Sequence, residues 1–264
     1  MTITRILGAA ASIALVLSAA AFAQEPLKVG AYPANPPWET KTEAGTFEGF
    51  EVDIVNEIAR RMGTTAQITG MDFKALFVAT ASRRADMVIS SLTITDERLA
   101  NQSFTQPYVQ GALGIGVRQD SDLVGVEGLR DMNVGTVATS FSETWLKENV
   151  DTLGYGSLKT YDSTANLLTD LQNGRIDAAV NDVVGMRYAF SRMQGLKVGA
   201  EVATGERFAM MMPKDSEKLE QVNGIISDMK TDGTMAALHE KWLGVAPAPD
   251  SFTVTPMPVP TAAE

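Results

Sequence analysis

The chain has 264 residues, 45% of them hydrophobic and 20% charged, and a formal charge of -10. This composition suits one large or two small globular domains and excludes collagen, coiled coil and wholesale disorder. With no cysteine there is no disulfide, thiolate metal site or cysteine nucleophile, the single histidine, His239, cannot build a histidine-based zinc site, and the acid surplus argues against nucleic acid as a partner.

Arg5 precedes an unbroken small and apolar run from Ile6 to Ala23 that ends Ala21-Phe22-Ala23. This is the pattern of a secretory signal peptide, residues 1–23, cleaved after Ala23, with an uncleaved membrane anchor as the alternative. The mature chain is then expected free in an exported compartment, a bacterial periplasm. Leu27–Tyr32 has the pattern of a short strand, and Pro33, Pro36 and Pro37 mark a loop without regular structure. Val55, Ile58, Ala59 and Met62 at helical spacing, with Gly63 as a C-cap, predict a helix over 53–62. The alternation continues with a strand at Ile68, a helix over 72–82, a strand over 87–91, a strand over 133–137 and a helix over 142–149. Strands alternating with helices predict α/β layers and a mostly parallel sheet.

The segments from Ala75 and from Asn166 echo one another at a constant offset of 91 residues, with Leu76/Leu167, Arg84/Arg175 and Asp86/Asp177 coincident. Two similar α/β lobes produce such an echo, as does chance recurrence of a common turn pattern. The echoed strands end in polar residues, Ser90-Ser91 and Asn181-Asp182, and in open α/β sheets ligands bind beyond the carboxyl ends of strands. Glycine-broken apolar stretches at 107–117 and 207–212 fit two crossings between lobes, with the chain returning for helices over 217–229 and 235–242. The predicted layout is lobe one from 24–110 and 206–246, lobe two inserted as 111–205, and a flexible Pro-rich tail over 247–264.

Arg98 follows a helix start capped by Thr95, where a cation is disfavoured unless it holds an anion, although for a lone arginine pairing with Asp96 or another surface acid is the simpler account. Ser140 and Glu143 form a capping box, which accounts for both residues, while the helix N-terminus also offers free amides. Asp182 ends a strand, where it serves as an N-cap or holds an ammonium. Tyr32, Trp38, Phe73 and Phe77 are aromatic faces able to flank a ligand or to pack in the core.

The run GFEVDIVNEIARRMG from Gly49, the segment SSLTITDER from Ser90 and the later GRIDAAVND resemble the extracellular solute-binding proteins of polar amino-acid ABC transporters. The resemblance spans about 27–243. It implies a periplasmic-binding-protein-like type II fold, two α/β lobes joined by a two-stranded hinge, and a monomer that closes on one small zwitterion and delivers it to a membrane permease. Carried over, Arg98 is expected to clamp the ligand carboxylate with donors from Thr93 and Ser140, and Ser91 and Asp182 to bind the ammonium. Phe73 is expected to wall the side chain, with Ser90 and Val137 also lining the site. Asn35 stands where many relatives have a stacking aromatic and Tyr32 where several have an acid, so the stack is rebuilt from Tyr32 or Trp38, or Asn35 hydrogen-bonds a polar ligand. With few acids besides Asp182 expected in the pocket, a strongly cationic ligand side chain is disfavoured. No catalytic residue, cofactor or metal is expected. Two alternatives remain: an exported enzyme on the same fold, similar to prephenate or arogenate dehydratases with Asp182 or Glu143 as general acid, and a ligand-sensing domain serving a signalling receptor.

Overall fold

A computed structural model describes residues 25–262, so the expected signal peptide lies outside the described residues. Two five-stranded sheets dominate. The first has the order Ala66–Gly70, Leu27–Ala31, Met87–Ile89, Met211–Pro213, Gln102–Phe104, and the second the order Ser157–Tyr161, Asn133–Val137, Ala178–Asp182, Leu113–Arg118, Leu196–Val202. In each the first three strands are parallel and the fourth is antiparallel to the third.

The echo at 91 residues has a physical content. Asp86 donates its backbone N–H to Lys28 O and accepts Lys28 N on its carboxylate; Asp177 does the same with Asn133, each backbone bond being 2.8 Å. Arg84 N and Arg175 N each close onto the carbonyl five residues back, on Ala79 and Asp170, and Leu76 and Leu167 are both fully buried. One turn, used twice, brings a helix into the third strand of each sheet and delivers that strand's end to the same place in each lobe.

Helix Phe50–Arg61 starts three residues earlier than the apolar spacing predicts, because Gly49 at φ 138 turns the chain and Phe50 already packs in the core. Its apolar face meets helices Leu219–Thr231 and Thr234–Leu243, and Trp242 Nε1 and Lys241 Nζ both donate to Asp53 at 2.7 and 2.6 Å. The Pro-rich loop is more regular than expected. Ala34–Asn35 pairs antiparallel with Glu39–Lys41, and Pro36-Pro37 make the turn between them. Strands Ser157–Tyr161, Leu196–Val202 and Gln102–Phe104 carry no strong signal in the sequence; the first two are edge strands with half-exposed faces and lack an apolar run.

The chain crosses between the sheets on two antiparallel strands, Val109–Gln110 and Arg207–Phe208. Gly111 is required at this crossing, since a Cβ there would stand 2.4 Å from Phe208 Cζ. The tail is corrected from flexible to packed. Thr253 is buried and donates to Tyr108 O at 2.8 Å, Met257 N donates to Gln106 Oε1 at 2.9 Å, and Lys230 Nζ donates to Pro107 O and Thr255 O at 2.7 and 3.1 Å. Prolines deny this segment regular structure, yet its remaining backbone and hydroxyl groups find partners beside the crossing strands.

Candidate functional site

A cleft lies between the two sheets, at the carboxyl ends of their central strands. Tyr32, Asn35, Phe73, Ser90, Ser91, Thr93 and Arg98 line it from the first lobe, and Val137, Ser140 and Asp182 from the second. The residues expected at the site are thus brought together, with one exception. Trp38 is fully buried, edge-on to Phe50 and Phe208, and reaches the cleft only through its indole N–H. Its role is corrected from stacking face to supporting group, because a side chain with no exposed surface presents no face to a ligand.

The floor on the first lobe is held by two buried carboxyls. Ser91 sits at φ 42, and its N–H donates to both oxygens of Glu51, at 3.0 and 3.1 Å, while Tyr108 OH donates to Glu51 as well. Glu39 is fully buried beside Glu51; desolvation and then the Glu51 charge push its pKa well above the carboxylate range. Asn35 Nδ2 is tied to this floor through Ser91 Oγ at 3.2 Å and Glu39 Oε2 at 3.5 Å. Asn35 therefore belongs to a polar network that fixes the turn after the strand.

Arg98 donates Nη1 to Thr93 O at 2.8 Å and Nη2 to Thr139 O of the second lobe at 3.1 Å, with its guanidinium 5.1 Å from the Phe77 ring centroid. Burial lowers its pKa to about 10, opposed by Glu206 and Glu97, which leaves it a cation at any physiological pH. Thr95 caps the short helix and accepts Arg98 N at 3.2 Å. Across the cleft, Asp182 caps helix Val183–Phe190, accepting Gly185 N at 2.7 Å and Val184 N at 3.4 Å, and it also accepts Trp38 Nε1 from the first lobe at 2.7 Å. Desolvation raises its pKa and these donors oppose the rise. Asp182 therefore caps a helix and at the same time lines the cleft.

Ser140 caps helix Phe141–Glu148 and donates to Val137 O at 2.6 Å. Glu143 accepts Thr139 N and Lys147 Nζ outside the cleft, so it is placed as a capping and surface group and is removed as a candidate acid. Tyr32 OH meets Ser163 and the Thr164 backbone, and Lys74 faces Asp162 at 3.7 Å. With Trp38–Asp182 and Arg98–Thr139, these contacts draw the lobes together over the cleft.

Sequence reasoning missed Glu206. It lines the cleft 5% exposed, accepts Thr93 Oγ1 at 2.8 Å and Thr204 Oγ1 at 3.0 Å, and burial raises its pKa to about 7. The expectation of few acids besides Asp182 is corrected accordingly. The available signal was its position: an acid immediately before a predicted crossing strand must lie where the two lobes meet. Phe208, Leu113, Phe141, Ser142, Thr164 and Asn181 also line the cleft. Among the described residues there is no cluster of acids or histidine arranged for a metal, and no helix is long and apolar enough to cross a membrane.

Over residues 27–245 the sequence matches the family described as bacterial extracellular solute-binding proteins, family 3. The chain belongs to that family. This family 3 protein is 30% identical over 247 residues to the histidine-binding periplasmic protein of Escherichia coli K12, covering 88% of this chain and 95% of the relative. It is 29% identical over 222 residues to the L-cystine-binding protein TcyJ of the same organism, covering 83% and 82%. Among solved structures, an ancestral arginine-binding protein bound to arginine superposes with TM-score 0.78 and 31% identity, covering 83% of this chain and 98% of that one. The two sheets, the paired crossing strands and the cleft of this family 3 protein are the periplasmic-binding-protein-like type II architecture.

Proposed function

We propose that this protein is the exported receptor of an ABC importer, closing its two lobes on a small amino acid or close analogue and presenting it to a membrane permease. The observation that carries the reading is the facing of Arg98 on one lobe and Asp182 on the other across a shared cleft. A zwitterion has a carboxylate and an ammonium a few ångströms apart, and a cleft with one fixed cation and one fixed anion on opposite walls binds both only when the walls close. Ser91, Thr93 and Ser140 supply polar groups beside these charges, and Phe73, Tyr32 and Val137 supply the apolar wall. The relatives' printed ligands, histidine, cystine and arginine, are all amino acids, and the histidine-binding relative is named as a periplasmic protein, which supports export and this ligand class.

The test is a thermal-shift screen of unfolded, stripped and refolded protein against the standard amino acids, with prephenate included. A ligand at about a hundred times its Kd adds roughly 2.7 kcal/mol of stability. A shift with a small group of amino acids supports the receptor; no shift with any of them contradicts it. The enzyme reading gains one observation, a cleft carboxyl near pKa 7 in Glu206, and is separated by product analysis: turnover of prephenate in the same samples establishes it.

A further inference from the structure

We propose that Glu206 is a specificity residue and that the cleft is built for an amino acid carrying a second cationic nitrogen, a basic amino acid, in preference to a neutral or acidic one. The proposal rests on the receptor reading above and deepens it. The charged side chains lining the cleft are Arg98, Asp182 and Glu206, one cation against two acids.

Each polar partner of Glu206 is a neutral hydroxyl: Thr93 on Oε2 and Thr204 on Oε1. Among the described residues it reaches no ion pair, and Arg98 spends two guanidinium N–H groups on the carbonyls of Thr93 and Thr139. Thr93 links the two, its carbonyl accepting Arg98 and its hydroxyl donating to Glu206, so the second acid stands next to the clamp for the ligand carboxylate. That juxtaposition fixes the sign of the site. A ligand carboxylate on Arg98 and one α-ammonium on Asp182 leave Glu206 a desolvated carboxyl whose nearby cation, Arg98, is shared with the ligand carboxylate; burial already raises it to about 7. A second ammonium, guanidinium or imidazolium on the ligand removes that deficit, and a ligand carboxylate in the same place deepens it.

The position in the chain strengthens the assignment. Glu206 O accepts Gly111 N at 2.9 Å, so its backbone is locked into the crossing strands and its side chain is carried on the element about which the lobes move. The Thr93 hydroxyl and the backbone bond to Gly111 hold the carboxyl beside the crossing strands.

Calorimetric titration of wild type and Glu206→Gln with lysine, ornithine, glutamine and glutamate tests this. Glutamine at position 206 keeps the shape and the hydroxyl partners and removes the charge. In wild type the cationic pair should bind about tenfold or more tighter than glutamine, with glutamate weakest; in the variant the cationic preference should collapse to within about threefold while glutamine affinity holds. Because the readout is a ratio of affinities within one protein, a general loss of stability leaves it unmoved. An unchanged ratio in Glu206→Gln, or a wild type that prefers glutamine or glutamate, overturns the proposal and leaves the receptor reading standing. Failure of wild type to bind any of the four or any other amino acid overturns both.

Discussion

At the scale of single residues, Asp182 is asked to do two things with one carboxylate. It caps a helix through Gly185 N and Val184 N, and it faces the cleft while accepting Trp38 Nε1 from the opposite lobe. These roles separate by substitution. Asp182→Asn keeps an acceptor for the helix amides and loses the charge, so the protein should fold normally while ligand affinity falls about tenfold to a hundredfold, roughly 1.4–2.8 kcal/mol. Asp182→Ala should lose the cap as well, at a further cost of about 1 kcal/mol in urea unfolding. An Asn variant that binds as tightly as wild type contradicts the ammonium role. Asp182 was legible from the sequence because a strand pattern ended on it. Glu39 and Glu51 were not, since both sit in segments that look like surface: an acid after a Pro-rich turn, and an acid in the first turn of a helix. Their burial is decided by the approach of Tyr108 and the Ser91 turn, residues 57 and 40 positions from Glu51.

At the scale of elements, the alternation of strand and helix, the repeated turn at Asp86 and Asp177 and the two crossings were readable because each is a local pattern of apolar spacing and glycine. Edge strands such as Ser157–Tyr161 were not, because an edge strand is defined by its neighbour Asn133–Val137 and carries little apolar signal of its own. The tail shows the same limit from the other side. Its composition lacks a core, yet Thr253, Thr255 and Met257 bond to Tyr108, Lys230 and Gln106, which all surround the crossing strands. Truncation after Ala246 should therefore leave Lys230 Nζ with Pro107 O as its one acceptor among the described residues and strip two partners from the crossing segment. About 1–3 kcal/mol of stability should be lost for a buried polar group left unmatched, read as a lower urea midpoint with nearly unchanged slope. A truncated protein as stable as the full chain would show that these bonds contribute nothing net.

At the scale of the molecule, the buried carboxyls set an unusual dependence of stability on pH. Glu206 moves from an ordinary 4.5 to about 7 on folding, and Asp182, Glu39 and Glu51 are also raised by desolvation. Between about pH 4.5 and 7 the folded chain keeps protons that the unfolded chain has released, so stability falls as pH rises through that window. Glu206 alone accounts for about 3 kcal/mol of that fall, taking 1.36 kcal/mol per unit. Glu57 and Asp232, lowered to about 2 by hydrogen bonds from Arg60 and Thr234 first and by Arg61, act with the opposite sign, and their contribution is lost as pH falls from about 4 toward 2. Lys230, lowered to about 7 by burial, adds stability as pH rises from 7 toward 10.5. The thermal midpoint without added ligand should therefore peak near pH 5 and pass through a minimum near 7 to 8, and Glu206→Gln should flatten the descent. A midpoint that rises steadily from pH 5 to 8 in wild type would contradict the burial of these acids.

In the proposed reading the same arrangement makes this fold a receptor. Two copies of one α/β turn place polar strand ends opposite each other, the crossing strands join the copies, and the charges on the two walls are left for a ligand to match. Calorimetric titration of stripped wild type and Arg98→Ala, side by side, with the amino acids found in the thermal-shift screen tests this most directly. The account predicts saturable one-to-one binding to wild type and a loss of at least about tenfold to a hundredfold in the variant. Equal affinity in the two proteins would contradict the claim that the cleft holds its ligand by the carboxylate.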